Sequence, residues 1–126
     1  MIRWKRWVRG DTENVNPKLL RRLARIARDL TKHYHDTGGN KRLRHSVLVN
    51  SGYRTRAEQQ VLYDRYLRNG YPITAFPGTS RHETGNAVDV NLLTPNGIRA
   101  SISRTRLRKY GLKAPVAGEP WHIELA

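Results

Sequence analysis

Apolar residues recur at helical spacing in one long stretch near the start of the chain. In NPKLLRRLARIARDL, residues 16–30, leucine, isoleucine and alanine return every three or four positions, and most of the arginines fall outside that stripe. Asn16 is a suitable N-cap, and Pro17 suits the first helical position. The pattern predicts an amphipathic helix that packs on a core.

A second helix is predicted over TRAEQQVLYDRYLRNG, residues 55–70. Thr55 and Glu58 have the spacing of a capping box, and Gly70 is placed to end the helix. Three residues form the expected apolar face: Val61, Leu62 and Tyr66. A third, short and basic helix is expected around residues 104–110.

Alternating and β-branched runs predict strands in other parts of the chain. The segments are VLV at 47–49, AVDVNLL at 87–93 and WHIEL at 121–125. In AVDVNLL the valines alternate with Asp89, and in WHIEL the apolar residues alternate with His122 and Glu124. The polar residues are therefore expected on the face opposite the core.

The order of these elements, helices first and strands after, indicates an α+β fold in a single domain over residues 1–126. We expect a small antiparallel sheet that carries the functional site, with the N-terminal helices packed on it. The chain divides into a basic helical part, residues 1–45, and a part that bears the motifs, residues 51–125. With 37% hydrophobic residues it can bury one modest core.

Cysteine is absent, which excludes disulfides, thiolate zinc sites and a cysteine nucleophile. Any metal ion must therefore be held by nitrogen and oxygen ligands. The chain has no run of about 18 apolar residues, and MIRWKRWVRG lacks the apolar core of a signal peptide. We expect no transmembrane segment, and synthesis in the cytoplasm.

The chain carries a large excess of positive charge. Its 24 Lys and Arg against 10 Asp and Glu give a net charge of +14, and the first third of the chain is the most basic. Such a field attracts polyanions, whether nucleic acid, anionic lipid or acidic wall polymers. Because Trp4 and Trp7 are interleaved with basic residues, a basic binding module without catalysis is one hypothesis.

His82, Asp89 and His122 each stand where a side chain can leave the packed face of its segment. Two neutral imidazoles and one carboxylate form a ligand set of catalytic zinc, which leaves a fourth position for water. A helical HExxH motif is excluded, because Asn86 stands where its second histidine would be. On the residues alone, hydrogen-bonded structural histidines remain the alternative.

Glu119 and Arg54 are candidates for the other groups that a zinc hydrolase needs. Glu119 precedes His122 in GEPWHIEL and is a candidate general base, while Arg54 in SGYRT is a candidate donor to an oxyanion. Each has a simpler interpretation as well. Glu119 can be a loop carboxylate paired with an arginine, and Arg54 can be a solvated cation.

Three segments taken together resemble the motifs of a known family. SGYRTRAEQQVLY, PGTSRHETGNAVDV and GEPWHIEL, in this order, are similar to those of the VanY-like D-alanyl-D-alanine carboxypeptidases, the M15 group of zinc metallopeptidases, which share a fold with lysostaphin-type and hedgehog proteins. Two family patterns, SxHxxGxAxD and ExWH, are matched here by Ser80, His82, Gly85, Ala87 and Asp89, and by Glu119, Trp121 and His122.

The resemblance implies a zinc ion held by His82, Asp89 and His122. It also implies that Glu119 acts as general base and acid, and that Arg54 clamps the carbonyl and the oxyanion.

Three further residues are substrate-binding candidates through the same resemblance: Ser80, Trp121 and Gln60. Two of them have structural alternatives. Trp121 can fill the core instead of flanking the cleft, and Gln60 can pack its helix and position Arg54.

Members of this family cleave peptide bonds in the stem peptides of bacterial peptidoglycan. The resemblance therefore implies a peptidoglycan hydrolase, and we expect a lytic endopeptidase of phage endolysin type, with a D-alanyl-D-alanine carboxypeptidase as the alternative. The cationic chain is expected to be a monomer attracted to the anionic cell wall, without a specific nucleic-acid partner, and to act there after release or delivery from the cytoplasm.

Overall fold

The computed structural model describes residues 2–126. The strands in this range are β1 Val8–Gly10, β2 Ser46–Ser51, β3 Ala87–Leu93, β4 Arg99–Ala100, β5 Leu112–Lys113 and β6 His122–Leu125. They form one mixed sheet of the order β1-β2-β3-β6-β5, with β4 paired to β3. The helices are α1 Pro17–Asp36, α2 Arg56–Asn69 and α3 Arg104–Lys109, with 3-10 turns at Trp4–Arg6 and Arg81–Thr84. The predicted α+β class is confirmed.

The core lies between α1 and the sheet. As predicted, Asn16 caps α1, and its side chain accepts a hydrogen bond of 2.9 Å from the Lys18 amide. The stripe of leucine, isoleucine and alanine is buried against strand residues such as Val47 and Val88. Each fully buried leucine contributes about 1.5–3 kcal/mol. Within residues 2–126, no helix is long and apolar enough to cross a membrane.

The prediction of a purely antiparallel sheet is wrong, because β1 pairs with β2 in parallel, with Val8 opposite Val47. The intervening α1 supplies the long crossover that a parallel pair needs. The N-terminal part is therefore not purely helical. Gly10 allows this pairing, since a Cβ there would lie 2.3 Å from the Val49 carbonyl oxygen.

Helix α2 has the predicted ends, and its predicted apolar face is correct only in part. The Thr55–Glu58 capping box is present, and Gly70 ends the helix in the left-handed conformation. Leu62 and Tyr66 are half-buried, but Val61 is 66% exposed, and Gln59 is the residue of α2 that is buried. The helix is thus held to the domain through a polar side chain, whose partners belong to the site described next.

Candidate metal centre

His82, Asp89 and His122 come together at one end of the central strand. One donor atom from each residue lies within 4.8 Å of the other two. His82 belongs to the 3-10 turn Arg81–Thr84, whereas Asp89 in β3 is the register partner of His122 in β6. The three residues predicted from the sequence are therefore neighbours in space.

His82 is oriented from both of its sides. Its buried ring donates from Nδ1 to the Gly52 carbonyl oxygen at 2.7 Å, because a carbonyl can only accept, and this leaves Nε2 at 3.4 Å from Asp89 Oδ1. The Ser80 hydroxyl caps the turn by accepting a hydrogen bond of 3.2 Å from the His82 amide. Gly85 ends the turn at φ 73°.

His122 has the same arrangement with its two nitrogens exchanged. Its Nε2 lies 2.8 Å from Glu124 Oε2, and its Nδ1 lies 3.3 Å from Asp89 Oδ1. Glu124 is itself buried, and its other oxygen lies 3.6 Å from Nε of Arg81. No role of Glu124 was predicted from the sequence, although its alternation with His122 placed both side chains on one face.

The two oxygens of the Asp89 carboxylate have different surroundings. Oδ2 lies 3.3 Å from Arg54 Nη2, while Oδ1 is buried and has no hydrogen-bond partner, because the two imidazoles are close without hydrogen-bond geometry. Burial alone would raise the pKa of Asp89, but the adjacent His122 and His82 rings outweigh burial and hold that pKa well below its usual value. The carboxylate is therefore ionised.

These donors fit a divalent metal ion. Two ligands about 2.0–2.1 Å from a tetrahedral ion are separated by about 3.3–3.4 Å, and the separations of Asp89 Oδ1 from His122 Nδ1 and His82 Nε2 are 3.3 and 3.4 Å. A buried oxygen without a partner normally costs stability, and a cation would remove that cost. Gly52 and Glu124 supply the outer hydrogen bonds that metal-binding histidines usually have.

Arg54 is fixed by three side chains around it. Its Nε and Nη2 donate to Ser51 Oγ at 3.1 and 2.9 Å, and its Nη1 donates to Gln59 Oε1 at 3.2 Å. Gln59 in turn donates to the Ala75 carbonyl at 3.0 Å. The structural alternative for Gln60, that it positions Arg54, is wrong by one residue, because Gln60 is exposed and donates to Asp64.

Glu119 and Trp121 lie in the turn that leads into β6. The Glu119 carbonyl accepts a hydrogen bond of 3.1 Å from the His122 amide, and its side chain is half-buried. Trp121 is 44% exposed and does not fill the core, which leaves it free to flank the site. The catalytic role of Glu119 and the substrate contacts of Ser80, Trp121 and Gln60 stay predictions.

An α+β domain with two imidazoles, a carboxylate and a guanidinium at one sheet end has the groups of a metal-dependent hydrolase. A family model described as VanY, D-alanyl-D-alanine carboxypeptidase, matches residues 18–110. The chain belongs to this VanY family, and it is a peptidoglycan hydrolase rather than a binding module without catalysis. The matched range contains Arg54, His82 and Asp89 but ends before Glu119 and His122.

Two solved structures with TM-scores above 0.5 show the same fold, and a third is similar in part. The LdcB LD-carboxypeptidase is 19% identical with a TM-score of 0.54, covering 88% of this chain and 58% of its own. The L,D-carboxypeptidase DacB from Streptococcus pneumonia is 21% identical with a TM-score of 0.51, covering 92% of this chain and 69% of its own. A vancomycin resistance VanY in complex with Zn(II) is 27% identical with a TM-score of 0.47, covering 82% of this chain and 70% of its own. Curated protein sequences gave no match.

Proposed function

We propose that the chain is a zinc-dependent endopeptidase that cleaves a peptide bond within the peptidoglycan stem peptide. The observation that carries this proposal is the unpartnered Oδ1 of Asp89, which faces one nitrogen of each histidine while Arg54 holds the other oxygen. Two imidazole nitrogens and one carboxylate oxygen are a usual catalytic zinc set. They leave a coordination position open for water or substrate.

A bound zinc ion would supply a Lewis acid that polarises the scissile carbonyl and activates water. Glu119 then acts as general base and acid: its carboxylate accepts a proton from the attacking water and returns it to the leaving amine. Its position supports this role, since Glu119 begins the tight turn that ends at His122. Arg54, which contacts the other oxygen of Asp89, stabilises the oxyanion.

The hydrogen bonds of Arg54 favour an internal carbonyl over a terminal carboxylate as its substrate group. Four of its five N–H groups are used: one from Nε, one from Nη1 and two from Nη2. The remaining N–H, on Nη1, is enough for one carbonyl oxygen. A carboxylate is bound best by two parallel N–H groups, which Arg54 cannot offer without releasing a present partner.

Exposed apolar residues on both sides of the metal centre also favour cleavage within a longer peptide. Phe76, 61% exposed, belongs to the loop that Gln59 holds at Ala75, next to Arg54. Trp121 precedes β6, and β6 lies on the other side of β3. A substrate that crosses Asp89 can therefore contact protein before and after the scissile bond.

A D-alanyl-D-alanine carboxypeptidase is the second candidate, and the description of the matching family favours it. In either case all proposed catalytic groups belong to one chain, so a monomer suffices. We further propose that the enzyme is of the lytic endolysin type and reaches the wall after release from the cytoplasm, where its net charge of +14 draws it to anionic polymers.

Digestion of purified peptidoglycan, followed by mass spectrometry of the fragments, tests this function. The wild type is compared with Glu119→Gln, with a chelated sample, and with Glu13→Gln, a control that removes an exposed carboxylate. The endopeptidase is established by new amino termini inside the stem peptide that are lost in Glu119→Gln and in the chelated sample but kept in Glu13→Gln. Release of D-alanine alone establishes the carboxypeptidase. No product from several wall types would refute both.

A further inference from the structure

A basic groove lies at the end of the sheet away from the metal centre. It has a volume of about 480 Å³, is bordered by the start of β2 and the residues after β3, and continues into a neighbouring depression of about 400 Å³. Of the described residues, five cations and no acidic residue line the 480 Å³ groove itself: Lys5, Arg6, Arg9, Arg42 and Arg44. We call this surface the basic groove.

The five cations of the basic groove have no acidic partners among the residues that the structure describes. In residues 2–126, none of them lies within 4.0 Å of a carboxylate, and all five are exposed. Nearby cations on α1 differ in this respect, because Lys32 pairs with Asp36 at 2.7 Å and Arg28 with Asp29 at 3.1 Å. The groove therefore keeps its positive charge available for an external anion.

Trp7 holds two arginines of the groove in place and indicates which anion the groove suits. The guanidinium groups of Arg6 and Arg44 lie 5.3 and 5.9 Å from the Trp7 ring centroid, within cation–π range. A nucleic-acid base would have to displace these groups to stack on the ring. The arrangement thus favours phosphate groups over bases, since Arg binds phosphate oxygens with paired N–H donors.

The groove and the metal centre can be occupied at the same time. Ser46 and Leu93 border the groove and are register partners, whereas Ser51 and Asp89 are partners at the metal end of the same two strands. Asp89 and Leu93 are four positions apart along β3, which is a distance of about 13 Å. A polymer bound in the groove would hold the enzyme without covering its active site.

We propose that the basic groove binds the phosphodiester-linked polymers of the bacterial cell wall and so anchors the enzyme on its substrate. This inference rests on the proposed wall function for the identity of the polymer, and on charge complementarity for the binding. A membrane surface fits less well, because the groove is concave and its exposed apolar side chain, Leu43 at 37%, is less exposed than Ile73 and Phe76, which lie in a loop outside it.

Co-sedimentation with insoluble cell walls, before and after hydrofluoric acid removes their phosphodiester polymers, tests the inference. The variant is Arg42→Gln/Arg44→Gln. Its control is Arg65→Gln/Arg68→Gln on α2, which removes the same charge from exposed positions outside the groove. We expect the groove variant to bind untreated walls about tenfold or more weakly, the control to bind as the wild type does, and binding to weaken steeply with salt.

Two comparisons exclude the other polyanions and separate this inference from the proposed function. Soluble poly(glycerol phosphate) should compete for the wild type better than a DNA duplex or phosphatidylglycerol vesicles at equal charge. Equal losses in both double variants, or stronger competition by DNA or vesicles, would overturn the inference.

Hydrolysis of a short soluble stem peptide should be unchanged in the groove variant, so that a failure of catalysis is recognised independently. Thermal unfolding verifies that each variant is folded. If the groove variant is not folded, Lys5→Gln/Arg42→Gln is used in its place.

Discussion

Arg54 Nη2 lies 3.3 Å from Asp89 Oδ2, and this contact turns the other carboxylate oxygen toward two imidazoles. One ion pair therefore orients a candidate metal ligand and places a guanidinium beside the metal position. Both side chains are only 19% exposed, so solvent screens the pair less than it screens a surface ion pair.

Replacing Arg54 by lysine should lower kcat by about 100- to 1,000-fold, the usual effect of losing an oxyanion donor. Lysine keeps the charge but loses the planar group that contacts Ser51, Gln59 and Asp89 together. Steady-state kinetics on a soluble stem peptide measures the effect, with Arg65→Lys on α2 as control. An unchanged kcat in Arg54→Lys would exclude the oxyanion role.

Replacing Glu124 by glutamine should weaken metal binding by about 10- to 100-fold, because His122 loses the carboxylate that fixes its ring. A chelator competition titration measures the affinity. Glu13→Gln removes an exposed carboxylate and should leave it unchanged. If Glu124→Gln bound metal as tightly as the wild type, the orienting role would be wrong.

Metal should stabilise the folded chain, and Asp89→Asn should remove most of that effect. At a zinc concentration 100 times the Kd, the free energy of unfolding should rise by about 2.7 kcal/mol. The asparagine variant replaces the ionised oxygen that faces the two histidines by an amide. Urea unfolding with and without zinc tests this, and equal stabilisation of both proteins would show that Asp89 is not a ligand.

Gly85→Ala should destabilise the domain by at least about 2 kcal/mol, since strained backbone costs about 1–3 kcal/mol before any contact. Its Cβ would lie 2.3 Å from the Asn14 carbonyl oxygen. Gly97→Ala is a matched control, because Gly97 has φ +78° and no atom within 4 Å of the added carbon. Denaturant unfolding should show a clearly larger loss for Gly85→Ala, and equal losses would mean that the turn moves freely.

The stability of the protein should fall between pH 10 and pH 12 through Tyr110. Burial and the 2.7 Å hydrogen bond to Asp29 raise the pKa of Tyr110 from 10.0 to about 12. In this window the folded state keeps a proton that the unfolded state loses, so the contribution is complete below pH 10 and is lost above it. Tyr110→Phe should have a shallower decline in urea unfolding over this range, and an identical decline would refute the assignment.

The three candidate metal ligands could be predicted because their chemistry is visible in the residue types. The strand pattern over AVDVNLL also fixes the face that Asp89 occupies, and β3 has the predicted bounds. The supporting contacts could not be predicted. Gly52 and His82 are 30 residues apart, and a backbone carbonyl leaves no trace in the residue types.

Two errors arise from contacts that leave no hydrophobic periodicity in the sequence. Strand β1 has three residues and one buried side chain, Val8, so that no alternation reveals it. In α2 the apolar residues suggested a packed face, but the helix is attached through Gln59, whose amide connects Arg54 to Ala75. A polar residue at a buried contact follows no hydrophobic periodicity.

The two histidines are held in place by acceptors of different kinds, and this affects how the site can evolve. His82 depends on the Gly52 carbonyl, a main-chain group at a position where a Cβ would lie 2.2 Å from the Asp11 carbonyl oxygen, whereas His122 depends on the Glu124 carboxylate. Point mutations can therefore retune the second ligand one substitution at a time. The first changes only when the main chain moves, so inherited variation in metal affinity should arise on the β6 side of the centre.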